Sequence, residues 1–120
     1  MLYTEKVLDH FKNPRNQGSL ANPTIIGEAG NVKCGDVMKL YLDIKDEVVK
    51  DIKFETLGCA AAIAVSSIYT DMIKGKTLEA AAKVTSKEIA EELGGLPPQK
   101  LHCSMLVAEA FKDALNKLKK

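Results

Sequence analysis

The sequence predicts an α+β fold, and three observations carry that prediction. Two neighbouring segments alternate apolar and polar residues with a period of two, and the segments after them repeat apolar residues at helical spacing. The strands come as a run before most of the helices instead of alternating with them, which disfavours a parallel βαβ arrangement. The chain has 120 residues and a mass of 13.0 kDa, which suits one domain spanning 1–120.

Taken in order, Tyr3, Val7, Leu8 and Phe11 have helical spacing, and the stretch stops at Asn13-Pro14, because the residue before a proline disfavours the α region. Residues 13–23 hold two prolines, a glycine and three asparagines, a composition that predicts a mobile connecting loop. A strand is expected around Thr24 to Glu28. Met38, Leu40, Leu42 and Ile44 then alternate with Lys39, Tyr41, Asp43 and Lys45, giving a strand with one core face and one mostly wet face. Val48 to Leu57 sets Ile52 and Phe54 against Asp51, Lys53 and Glu55, and the short Asp46-Glu47 link predicts an antiparallel hairpin.

From Ala60 to Ile73 the chain is almost uninterrupted apolar and small, a helix able to approach its neighbours closely, with Gly75 as its cap. Thr77 to Val84 predicts a short helix, and Thr85 followed by Glu88 has the form of a capping box opening another, closed by Gly94-Gly95. After Pro97-Pro98 comes the longest helix, with Leu101, Met105, Ala108, Leu115 and Leu118 predicted along its buried side and lysines at its C-terminal end. Met38 and Met105 are both expected in the core.

Composition narrows the function classes. The chain is 46% hydrophobic, which argues against disorder, and its 28% charged residues balance to a formal net +1, which argues against a nucleic-acid surface. No apolar run reaches the ~20 residues needed to cross a bilayer, and Glu5, Lys6, Asp9 and His10 break up the N-terminal stretch, so neither a membrane span nor a signal peptide is expected. A cytoplasmic protein is the resulting expectation. Three cysteines far apart make a poor disulfide framework.

Each cysteine stands at the end of a predicted element. Cys34 precedes a strand, Cys59 opens the apolar helix, and Cys103 lies in the first turn after Pro97-Pro98. A helix N-terminus lowers a thiol's pKa and favours the thiolate that binds metals or attacks sulfur. Asp36 shares the Cys34 side of an extended backbone, and His102 adjoins Cys103. Simpler roles stand beside these. A cysteine is often only a small buried hydrophobe, as Cys59 before Ala60-Ala61-Ala62 suggests. Asp36 could satisfy a turn amide, His102 could be an exposed first-turn side chain, and His10 could be a surface or packing residue of the first helix. There is no Cys-x-x-Cys knuckle, no phosphate loop and no Ser-His-Asp order, so spacing alone leaves the choice open.

Local sequence says more. Cys34-Gly35-Asp36-Val37-Met38-Lys39-Leu40, Gly58-Cys59-Ala60-Ala61-Ala62-Ile63-Ala64 with Ser66-Ser67, and Leu96-Pro97-Pro98-Gln99-Lys100-Leu101-His102-Cys103-Ser104 resemble the three signature segments of the U-type iron-sulfur cluster assembly scaffolds, the IscU family or N-terminal domain of NifU. Asp9 to Asn16 is similar to that family's N-terminal segment, so the resemblance covers nearly the whole chain in order.

The resemblance implies a three-stranded antiparallel sheet with helices packed against it and the ligands clustered at one end. It implies a scaffold or carrier, not an enzyme, which takes persulfide sulfur from a cysteine desulfurase, builds a transient [2Fe-2S] cluster with iron and passes it to apo-proteins. Cys34, Cys59 and Cys103 would be ligands, with Asp36 a labilising or ligating carboxylate, His102 the alternative fourth ligand and Cys103 an accessible persulfide acceptor. Leu96, Pro97, Pro98, Gln99 and Lys100 resemble the segment bound by an Hsp70-type chaperone, with Gln99 in place of the usual valine. Zinc in the apo form and a homodimer bridging a cluster are further implications. A zinc-bound sulfurtransferase is the competing reading, since three thiolates plus His or Asp suit zinc nearly as well.

Overall fold

The computed structural model describes residues 3–31, 36–58, 60–96 and 101–118; at Asn31 and Asp36 it describes the backbone alone. Along the chain run α1 (Glu5–Lys12), β1 (Ile25–Asn31), β2 (Asp36–Lys45), β3 (Val48–Leu57), α2 (Ala60–Ile73), α3 (Leu78–Ala82), α4 (Ser86–Glu92) and α5 (Leu101–Leu118). The strands form one antiparallel sheet in the order β1-β2-β3. This is the α+β architecture expected, and the hairpin turn, the capping box on Thr85 and Glu88, and the bounds of α2 and β3 are where the sequence places them. Asp46 and Glu47 both take positive φ (54° and 64°), the two-residue turn whose twist matches that of the flanking strands.

Period two decides which side of the sheet is dry. Met38, Leu40 and Leu42 of β2 and Val49, Ile52 and Phe54 of β3 are fully buried under α2 and α5, and the bulge between Asp43 and Ile44 lets the pattern skip a residue. The opposite side differs from expectation at Tyr41. That ring is only 9% exposed, and its hydroxyl donates to the Glu55 carboxylate on β3, which raises the phenol's pKa.

Residues 13–23 are more ordered than their composition predicts. Gly18 N–H donates to Phe54 C=O at 2.8 Å and Phe54 N–H donates to Asn16 C=O at 2.9 Å, so the segment lies along the outer edge of β3. Asn16 (φ 62°) and Gly18 (φ 130°) supply the turns that bring it there. The outer edge of β1 is met by α5: Glu28 N–H donates to Asp113 Oδ2 at 2.9 Å, and Lys117 Nζ donates to Ile26 C=O at 3.0 Å.

The buried stripe of α5 also corrects the sequence reading. It is Cys103, Val107, Ala110, Phe111 and Ala114 that face the core, whereas Leu101 and Met105 are 45% and 54% exposed. Two apolar stripes run along this helix at helical spacing, and the one made of smaller residues fits against the sheet. The α5 axis comes so near β1 at Gly27 that a Cβ there would stand 2.1 Å from the Ala110 carbonyl oxygen.

The first helix is clasped to α2. His10, 6% exposed, has its Nδ1 2.7 Å from Ser67 Oγ, and Arg15 N–H donates to that same oxygen at 2.8 Å. Ser67 Oγ joins the His10 ring to the backbone of Arg15. His10 is thus a packing residue, one of the two roles read from sequence. Burial, then the Arg15 charge, push its pKa below the ordinary 6.5, while Asp9 and Asp71 oppose this weakly.

A depressed histidine pKa stabilises the fold fully above the unfolded value and loses that contribution as pH falls through 6.5 towards the folded value. The melting temperature is therefore expected to fall between pH 7 and pH 5. His10→Gln, which does not titrate, should flatten this dependence; equal pH slopes for parent and variant would rule the clasp out as its source.

Candidate metal and sulfur site

Contacts along α5 fix which end of the molecule its first turn occupies. Leu118 stands beside Ile44 and Glu47 at the hairpin end of the sheet, and Lys117 meets Ile26 early in β1, so moving back along the helix means moving up β1 towards Asn31. Cys103 lies seven residues before Ala110, ~10 Å at helical rise, which compares with ~13 Å for the four residues from Gly27 to Asn31. Asn31 pairs with Asp36, and Val37 pairs with Leu57, whose strand leads to α2 three residues later. The start of β2, the end of β3 and the starts of α2 and α5 therefore gather at one end.

Of the expected site residues, Cys34 and Cys59 lie outside the described residues, as do Pro97, Pro98, Gln99 and Lys100, and Asp36 is described through its backbone alone. His102 and Cys103 are described. His102 is exposed, Cys103 is 1% exposed, and His102 Nε2 stands 3.7 Å from Cys103 Sγ. Adjacent side chains on a helix diverge by ~100° on average, yet in this first turn their donors converge. Two donors at zinc-like bond lengths on one tetrahedral ion stand ~3.5 Å apart, so this pair fits a shared metal. Among the described residues there is no cluster of three or more His, Cys, Asp or Glu side chains able to hold an ion.

The burial of Cys103 corrects the expectation of an accessible thiol. Its side chain belongs to the same stripe as Val107 and Phe111, and Ser104 beside it is also buried, its hydroxyl donating to Leu101 C=O at 2.7 Å. Sequence position at a helix start says nothing about which stripe faces inward. Next to this turn, an open groove of about 670 Å³ runs between α4 and α5, with Ala90, Leu96, Leu101 and Met105 as its apolar lining and Lys87 and Glu91 at its rim. Leu96 is the only member of the chaperone-like segment among the described residues, and it is half-buried.

Two features were invisible at the sequence level. The Ser67 hydroxyl at the His10 clasp has no spacing signature, although Ser66-Ser67 belongs to a quoted segment. The hydroxyl of Thr56 donates to Val37 C=O at 2.7 Å across the ends of β3 and β2, where sequence offers only a β-branched residue in a strand.

Comparison with known proteins agrees with this architecture. Residues 2–120 match the family described as NifU-like N terminal domain. The chain is 54% identical over 114 residues, 95% of its own length and 74% of the relative's, to iron-sulfur cluster assembly scaffold protein IscU 1 of Archaeoglobus fulgidus. It is 51% identical over 121 residues, 96% of its length and 77% of the relative's, to the scaffold protein IscU of Aquifex aeolicus. A crystal structure from Fervidobacterium islandicum AW-1, named for iron-sulfur cluster assembly in the SUF system, superposes with a TM-score of 0.78 at 26% identity, covering 96% of this chain and 97% of that one. With a family match over residues 2–120, a fold shared with that crystal structure, and identity above one half to both scaffold relatives across nearly its whole length, this chain belongs to the NifU-like N-terminal domain family.

Proposed function

We propose that this protein is a scaffold for iron-sulfur cluster assembly, a carrier without a catalytic reaction of its own. It accepts persulfide sulfur from a cysteine desulfurase, assembles a transient [2Fe-2S] cluster as cargo and hands it to apo-proteins. Cys34, Cys59 and Cys103 are the thiolate ligands, and Asp36 or His102 supplies the fourth donor. The observation that carries this reading is the gathering of the β2, β3, α2 and α5 ends around a converging His102–Cys103 pair, in a chain whose relatives bear scaffold names.

The chemistry of the donor set suits transient holding. Three thiolates bind iron firmly, whereas a carboxylate or a neutral imidazole in the fourth position is a weaker partner that leaves one iron easier to release. The same donors accommodate zinc when no cluster is present. The Leu96 to Lys100 segment is a docking stretch for an Hsp70-type chaperone, and two copies sharing one cluster form the bridged homodimer. No helix among the described residues is long and apolar enough to cross a membrane, and a cytoplasmic setting fits that.

Anaerobic reconstitution with ferrous iron, sulfide and thiol tests the reading. The parent should develop the visible absorption and Mössbauer signature of a [2Fe-2S] cluster. Cys34→Ser, Cys59→Ser and Cys103→Ser should each lose the stable spectrum while keeping the far-ultraviolet circular dichroism of the folded chain. Parent-like reconstitution by all three variants would show the ligand set to be wrong, and a parent that takes up zinc but never a cluster would favour the zinc-bound sulfurtransferase.

A further inference from the structure

We propose that Thr56 is a positioning residue for the cysteine site, its hydroxyl locking together the two strand ends that lead into Cys34 and Cys59. The proposal rests on the scaffold reading of those cysteines. Thr56 stands three residues before Cys59, and Val37 stands three residues after Cys34. The Thr56 hydroxyl donates to Val37 C=O at 2.7 Å, across a register in which Val37 pairs with Leu57 and Met38 with Thr56.

Strand ends fray because their last rungs have ladder bonds on one side only. A side-chain bond at the final rung opposes that fraying where the ligand-bearing segments leave the sheet. The neighbouring Met38 is fully buried, and its Sδ lies 3.1 Å from the Ser66 hydroxyl of α2, the helix that starts directly after Cys59. Val37 and Met38 are thus joined to both elements that flank Cys59.

The simpler account makes Thr56 a β-branched residue chosen for its shape. Ile52, Phe54 and Thr56 follow one another on the helix-covered side of β3, and the first two are fully buried and apolar. If shape alone mattered, valine would continue the run equally well. Valine is therefore the discriminating substitution, since it keeps the volume and removes only the donor.

Co²⁺ is the probe, titrated anaerobically into the reduced, metal-free full chain and read by its thiolate-to-cobalt charge-transfer and ligand-field absorption. Thr56→Val should bind Co²⁺ roughly 2- to 12-fold more weakly, the equilibrium equivalent of one hydrogen bond, with displaced ligand-field bands. Thr56→Ser, which restores the hydroxyl, should return both to parent values. Parent-like affinity and bands in Thr56→Val would overturn the proposal, as would a Thr56→Ser variant that behaves like the valine one. Should Thr56→Val fail to fold by circular dichroism, Thr56→Ala against Thr56→Ser makes the same comparison. A parent without any thiolate-to-cobalt band would refute the ligand set itself and the positioning role with it, whereas a normal parent with a normal valine variant would remove the positioning role alone.

Discussion

Gly27→Ala should lower the stability of the fold by about 3 kcal/mol, near the upper end for overpacking a core position. The added Cβ would stand 2.1 Å from the Ala110 carbonyl oxygen and 2.8 Å from the Ala114 Cβ, distances that no rotamer change relieves because one obstacle is backbone. Either β1 or α5 has to retreat by about an ångström, and α5 is tied to that strand by Asp113 and Lys117. Retreat would thin the contact of Val107, Phe111 and Ala114 with the sheet. For a chain of this size such a loss corresponds to a fall in melting temperature of roughly 10–15 °C in differential scanning calorimetry. A variant melting within about 2 °C of the parent would mean that the helix floats freely over the strand, contrary to the packing described.

Loss of sulfur acceptance in Cys103→Ser is the second large effect expected. In the proposed transfer step the Cys103 thiolate would attack the terminal sulfur of the desulfurase persulfide. A new sulfur–sulfur bond forms on Cys103 as the old one breaks, and the desulfurase cysteine leaves as a thiolate, with no net oxidation or reduction. Because Cys103 is 1% exposed, the proposed transfer requires the first turn of α5 to open when the desulfurase docks.

Intact-mass spectrometry after incubation with a desulfurase and free cysteine should show a sulfur adduct on the parent, localised to Cys103 by peptide mapping, and at most a few per cent of it on Cys103→Ser. Alkylation of Cys103 by a bulky maleimide should be slow in the resting protein and quicken when the desulfurase is added. Sulfur found only on Cys34 or Cys59 would move the acceptor role away from Cys103.

Much of this was legible from sequence, for identifiable reasons. The β2 alternation from Met38 to Ile44 and the Thr85 capping box are local patterns, set by residues within a few positions of one another, and the structure keeps both. The α5 stripe was misassigned because two apolar series share the helical period, and only the approach of β1 at Gly27 selects the one containing Cys103. The tether of residues 13–23 to β3 was missed for a related reason: asparagine and glycine signal a turn but not what the turn docks against. The proposed cysteine ligands are singled out by the resemblance of their flanking segments, with placement at element ends leaving the choice open, whereas the hydroxyls of Ser67 and Thr56 became visible only once partners 57 and 19 positions away in sequence were seen beside them.

The guarded flanks of the sheet limit how copies of this protein can meet. On the β3 side, residues 16–18 already occupy the hydrogen-bonding groups of Phe54, and on the β1 side Asp113 and Lys117 take those of Glu28 and Ile26. At these positions a second molecule finds the edge groups already partnered, which disfavours growth by strand addition, the usual route to fibrils. Two copies sharing one cluster would have to face each other through their ligand ends, which makes such a pair self-limiting at two and ties its lifetime to that of the cargo between them.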